Sequence, residues 1–211
     1  MAELSRTRRP VCGHSDGRHQ AYLKEASADL VFGAAILHHL VEPGRFIRSA
    51  MRVLKPGGWA IFFEPLEGGL AIFQLICLDI ARQGRKRGLL NRWTRAMRLT
   101  EAFATDLQPQ IFRGAIPGWE DRDDKWAFPR SVLDRIARDH GAEVHVYGLH
   151  DNVGQFWRHF TYMLETYCGM KATDYPSWVW DIFDRYDNES FSPEMLFDLA
   201  LEGCILFRKM R

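Results

Sequence analysis

Hydrophobic residues recur along this chain with two different periods, and the way the periods succeed one another predicts a fold. Asp29-Leu30-Val31-Phe32-Gly33-Ala34 is a short, mostly apolar run, the pattern of a strand buried on both faces as in parallel sheets. Ile36-Leu37-His38-His39-Leu40 follows as a turn or helical start. From Pro43 onward Phe46, Ile47, Ala50, Met51 and Leu54 recur at three-to-four spacing, while Arg45, Arg48, Ser49 and Arg52 take the other side. That predicts an amphipathic helix with proline in its first turn. Lys55-Pro56-Gly57-Gly58 ends it, since proline cannot extend the hydrogen-bond ladder and glycine accepts the positive φ of a helix cap. Trp59-Ala60-Ile61-Phe62-Phe63 is then a second buried strand, closing at Glu64-Pro65. Strand, crossover helix and strand within so few residues form a βαβ unit, expected to be right-handed.

Helical periodicity returns over residues 69–83 and roughly 89–105, before an irregular, turn-rich stretch through Pro117-Gly118 and residues 120–125. These segments read as an insertion above the sheet. A helix over residues 129–140, with Val132, Leu133, Ile136 and Ala137 on its apolar face, leads to a third strand at Glu143-Val144-His145-Val146-Tyr147. Helices near residues 153–167 and 177–186 follow, then one opening at Ser192-Pro193-Glu194, with a serine cap and proline at its first position. Gly203-Cys204-Ile205-Leu206-Phe207 closes the series as a fourth strand. Up to about Ser27 neither period is present. The expected organisation is a single α/β domain with an arm (1–27), a βαβ core (28–65), a helical insertion (66–127) and a C-terminal α/β part with its own helical insertion (128–211).

Composition narrows the class without naming a chemistry. The chain has 211 residues, 28 Lys+Arg against 27 Asp+Glu, and 46% hydrophobic residues, which excludes collagen, a disordered tail and a disulfide scaffold. A net charge of +1 gives no global signal for nucleic acid. Charge is uneven locally: Arg82, Arg85, Lys86, Arg87, Arg92, Arg95 and Arg98 follow the apolar residues 70–81 with Trp93 among them and no acid between. Two readings compete for Leu70 to Arg98, a weak contact with an anionic membrane and a solvated face offset by the acidic residues of 181–202. The second is favoured. The apolar part is broken by Gln74 and Asp79, and it falls short of the ~20 residues a bilayer span needs. Cys12, Cys77, Cys168 and Cys204 never form Cys-x-x-Cys, and no apolar segment follows Arg6, Arg8 and Arg9 as export would require. A cytoplasmic protein with reduced thiols is the expectation.

The run from Asp29 through His38-His39-Leu40, followed by Arg52-Val53-Leu54-Lys55-Pro56-Gly57-Gly58 and Ile61-Phe62-Phe63-Glu64-Pro65, resembles the second half of class I S-adenosylmethionine (SAM)-dependent methyltransferases, nearest to their small-molecule "type 11" group. The resemblance is sharp over residues 23–65 and topological beyond. It implies a partial Rossmann-like, doubly wound α/β sheet made of the family's strands four to seven, the last one antiparallel, with SAM as cofactor and a small molecule as methyl acceptor. On that reading Gly33, Ala34 and Ala35 at a strand end let a flat cofactor approach the backbone. Gln20 and Ala21 stand where the family places an Asp-Ala adenine contact.

Candidate chemistry then falls on four groups. His38 and His39 are the candidate catalytic residues, able to orient a substrate or take a proton near neutral pH, and Glu64 is a candidate substrate contact. Ligand type alone allows a metal on His38, His39 and Glu64, but no spacing motif supports one, and none is expected. The aromatic residues Phe103, Phe112, Trp119, Trp126, Phe156 and Trp157 suit an apolar acceptor or, more ordinarily, a core.

The departure from the family is as informative as the match. Only 28 residues precede Asp29, and Gly13 and Gly17 do not form the family's glycine-rich turn after an apolar strand. The first three strands are expected to be missing, which leaves the strand at Asp29 to Ala34 as an edge. The expectation is a truncated or split methyltransferase with compromised activity, or else a chain that pairs through Asp29 to Ala34 with itself or a partner chain. The competing readings are a non-catalytic binding or assembly partner and a peripheral membrane protein.

Overall fold

The computed structural model describes residues 23–87, 94–149 and 153–210. Four strands, β1 (Ala28–Ala34), β2 (Leu54–Pro65), β3 (Ala142–Gly148) and β4 (Glu202–Lys209), form one sheet in the order β1-β2-β4-β3. β1 and β2 run parallel, while β4 is antiparallel to both of its neighbours, β2 and β3. The carboxyl ends of β1, β2 and β3 therefore share one edge of the sheet. The helix α1 (Pro43–Val53) supplies the expected crossover between β1 and β2, with Ile47, Ala50 and Met51 buried.

Lys55-Pro56-Gly57-Gly58 departs from the expectation, because it lies within β2 rather than ending a helix. Leu54 is already extended, at φ −67° and ψ 141°. Pairing jumps from Ala28 opposite Leu54 to Leu30 opposite Trp59, so four residues bulge out opposite Asp29. Gly57 turns this bulge at φ +79°, a conformation favouring glycine. Lys55 closes it with an ion pair of 2.8 Å to Asp29.

One face of the sheet is covered by α1 and by α4 (Arg130–Asp139): Ile47, Met51, Leu133 and Ala137 pack with Ala60, Phe62, Ile205 and Phe207 in one core. The opposite face differs from the sequence expectation for β1. Leu30 and Phe32 are 55% and 62% exposed, because among the described residues helices cover only the face that Val31 and Gly33 share. Among the described residues no strand pairs with the outer edge of β1.

A second core is helical. It joins α2 (Glu67–Lys86), α3 (Thr94–Ile111), α5 (Gln155–Cys168) and α6 (Ser177–Asp184) through Phe73, Ile76, Ile80, Phe103, Phe156, Phe160 and Phe183. The chain leaves α6 through a π-helical turn at Arg185–Glu189, where buried Asp187 accepts the N–H groups of Phe156 and Trp157 and so caps α5. The short α7 (Pro193–Asp198) opens with the Ser192 hydroxyl accepting from the Met195 N–H. Of the sequence's aromatic set, Phe103 and Phe156 are core, whereas Phe112 and Trp157 are exposed.

No helix of the described residues is long and apolar enough to cross a membrane. Three of the basic residues in the stretch after α2 begins to end are engaged within the protein. Arg85 pairs with Glu101, Arg87 lies 4.8 Å from the Trp178 ring, and Arg95 donates to the Cys168 carbonyl. Arg92 and Trp93 lie outside the described residues.

Candidate functional site

β1 ends at the carboxyl edge of the sheet, and the chain turns over that edge at once. Ala35, at φ +53°, donates its N–H to the Phe63 carbonyl at 3.0 Å. A 3-10 turn at Leu37–His39 follows. Beneath it, at the end of β2, lies Glu64. One carboxylate oxygen accepts the N–H groups of Ile36 at 3.0 Å and Leu37 at 2.8 Å, and the other accepts those of His38, from the backbone at 3.2 Å and from the ring Nδ1 at 2.6 Å. Successive backbone N–H groups curling around a carboxylate make an anion nest. Here the anion is part of the chain.

This placement corrects the reading of Glu64 as a substrate contact. Its side chain is wholly buried and both oxygens are taken by the turn, so it positions His38 and touches nothing in solvent. A carboxylate accepts, so His38 Nδ1 carries a proton toward Glu64 while Nε2 is turned outward. There it faces Asp124, with Oδ1 at 3.4 Å. The same Asp124 oxygen lies 3.4 Å from Nδ1 of His39, which also sits 3.0 Å from the Asp123 carbonyl. The Lys125 and Trp126 N–H groups donate to the His38 carbonyl, which fastens residues 123–126 against the turn.

The charge balance of the cluster follows from this geometry. Burial alone would lower the pKa of His38, but hydrogen bonds to Asp124 and Glu64 and their negative charges outweigh it and raise the group to about 9. His38 hydrogen bonding in turn holds Asp124 below the usual carboxylate range. His38 is thus protonated at neutral pH and offers a positive charge rather than a base. Its folded value lies above the unfolded 6.5, so the stability it contributes is complete below pH 6.5 and is lost as pH rises through 9. Urea unfolding is expected to show a decline on the order of 3 kcal/mol across that window, flattened in His38→Asn. An equal slope in the variant would contradict the assignment.

The structure places His38 on Glu64 and sets the His39 ring beside that of His38, with centroids 4.0 Å apart. Ala34 and Ala35 are exposed at the end of β1, whereas Gly33 is buried. A Cβ on Gly33 would lie 3.0 Å from the Phe62 ring, so this glycine makes room for packing. Gln20 and Ala21 lie outside the described residues. Asp123 and Asp124 were missed, because a turn-rich loop carries no periodicity that ties it to a histidine 85 positions away.

Residues 1–62 match the methyltransferase domain family, a stretch that includes β1, α1 and most of β2. The match covers 62 of the chain's 211 residues. Similar solved structures include the [4+2]-cyclase SpnF, at 14% identity and a TM-score of 0.37, covering 90% of this chain and 53% of that one. A Bacillus halodurans protein assigned as a methyltransferase aligns at 14% identity and a TM-score of 0.39, over 91% of this chain and 68% of its own. A Galdieria sulphuraria protein assigned as a sarcosine dimethylglycine methyltransferase aligns at 13% and 0.42, over 90% and 56%. The chain thus spans little more than half the length of the first and the last of these. No curated protein matches it.

Proposed function

We propose, on the premise of the methyltransferase family match, that this chain contributes to SAM-dependent methyl transfer to a small molecule, with the carboxyl end of β1 as one wall of the cofactor site. The observation that carries the reading is the open strand end. In doubly wound sheets ligands bind beyond the carboxyl ends of strands, beside the point where strand order reverses. The exposed Ala34 and Ala35 project nothing larger than a methyl group there. The residues present fit one wall of such a site.

SAM, when bound, supplies a methyl group on a positively charged sulfur. Methyl transfer is an in-line displacement, so the protein's part is mainly placement. Ala34 and Ala35 leave the backbone open to a flat group, and Glu64 locks the turn that follows them. Protonated His38 lies between Glu64 and Asp124, which balance its charge, so its part is to hold the turn beside the site. His39, with a half-exposed ring, is the imidazole left to meet an acceptor proton.

A second reading has its own observation. Among the described residues no strand pairs with the outer edge of β1, and Leu30 and Phe32 are exposed beside it, which suits pairing with a second copy or another chain, whether that completes the sheet for methyl transfer or serves assembly alone. Calorimetric titration of the purified chain with S-adenosylhomocysteine, with its mass measured in the same buffer, separates the two. Saturable binding that Ala34→Trp abolishes is the expected result. A folded chain that gives no binding heat overturns the methyltransferase reading, and a mass above that of a monomer would then leave the assembly reading standing.

A further inference from the structure

We propose that His38, His39 and Asp124 form a binding site for a zinc-class divalent transition-metal ion. One donor atom from each of the three residues lies within 4.8 Å of the other two. Asp124 Oδ1 is 3.4 Å from His38 Nε2 and 3.4 Å from His39 Nδ1. These separations are longer than the ~2.8 Å of a good charge-assisted hydrogen bond. They match the ligand-to-ligand edge of a tetrahedral site, which is ~3.3 Å for metal–ligand bonds of ~2.05 Å.

The support behind the ligands is of the kind metal sites use. A metal-bound imidazole commonly donates its other N–H to a carboxylate, which fixes the tautomer and aims the free lone pair. Glu64 does this for His38 at 2.6 Å, and is itself held by three backbone N–H groups. The ligand set that residue type alone allowed, with Glu64 as a ligand, is not the one the fold assembles: Glu64 stands behind His38, and Asp124 takes the ligand position. His39 would exchange its 3.0 Å contact with the Asp123 carbonyl for the ion, and His38 would exchange the proton it otherwise holds toward Asp124.

Access and selectivity follow from the same residues. His39 and Asp124 have side chains 40% and 51% exposed, so the ion enters from solvent and keeps a coordination position open beside them. Two imidazoles with one carboxylate suit zinc, cobalt, nickel or copper, whereas magnesium and calcium prefer all-oxygen sets. The Asp123 carboxylate, 3.5 Å from His39 Nδ1, lies within reach as a further oxygen.

The test uses the full chain, stripped with a chelator and titrated with zinc against a chromophoric competitor. Cobalt absorption serves as a second readout of low-coordinate nitrogen and oxygen ligation. One equivalent of zinc is expected, undisturbed by excess magnesium. His39→Ala and Asp124→Ala each change a part-exposed side chain and should weaken zinc by at least about tenfold, with the far-ultraviolet circular dichroism unchanged. His140→Ala, a histidine remote from the cluster, should leave the affinity as it was. No retained zinc, or zinc binding that His39→Ala and Asp124→Ala do not weaken, overturns the proposal. The second outcome would place the ion elsewhere on the chain.

Discussion

Replacing Glu64 with glutamine is expected to destabilise the protein by about 3 kcal/mol. The native carboxylate accepts four N–H groups in a wholly buried position, two on each oxygen. A glutamine of the same shape must turn its NH2 group toward one of those pairs. If it faces Ile36 and Leu37, two backbone donors lose their acceptor, and if it faces His38, the imidazole loses the partner that fixes its tautomer. Either arrangement sets buried donors against donors, which costs more than a missing hydrogen bond at the surface. Urea unfolding at neutral pH measures the loss, and a change smaller than about 1 kcal/mol would show that the turn does not depend on this carboxylate.

Gly69→Ala is expected to be the next most damaging change, against the ordinary preference of helices for alanine. In an open helix interior the substitution stabilises by up to ~1 kcal/mol. In α2 the added Cβ would lie 2.5 Å from the Leu199 carbonyl oxygen and from the Ala200 carbonyl carbon, and inside contact distance of the Ala200 oxygen. These are backbone atoms in the link between α7 and β4, so no rotamer change relieves the clash. A net loss of roughly 2–3 kcal/mol follows from overpacking. Gly84, in the same helix, is the control: its Cβ would meet the Met97 side chain, which is flexible and can move aside. Thermal unfolding should place Gly69→Ala well below Gly84→Ala, and equal midpoints would refute the close approach.

The parts of the fold visible in the sequence are those fixed by local periodicity. Ile47, Ala50 and Met51 mark the buried stripe of α1, and Ala60 and Phe62 mark the buried face of β2, because each pattern repeats within one element. The reversal of β4 between β2 and β3 has no such local signal and came only with the family resemblance. Lys55-Pro56-Gly57-Gly58 carries helix-stop residues, yet the same residues suit a bulge, and only the pairing of Ala28 with Leu54 decides between them. Phe32 reads as buried because an apolar residue in a strand carries no information about whether a second layer covers it.

The site divides along the same line. His38 and His39 stand out as adjacent titratable residues at a strand end, and Glu64 as an acid closing the next strand. That Glu64 turns inward depends on the curl of the Leu37–His39 turn over β2, a feature of the backbone rather than of composition. Asp124 reaches the histidines only because Lys125 and Trp126 are tied to the His38 carbonyl. No spacing rule connects those positions.

The central claim is that the end of β1 receives SAM, and the most direct measurement is ultraviolet photolabelling of the chain with methyl-labelled SAM, followed by peptide mapping. The account predicts label on the peptide that carries Ala34, Ala35 and Ile36, competed away by S-adenosylhomocysteine. Label confined to other peptides, or none on a chain shown to be folded, would contradict it.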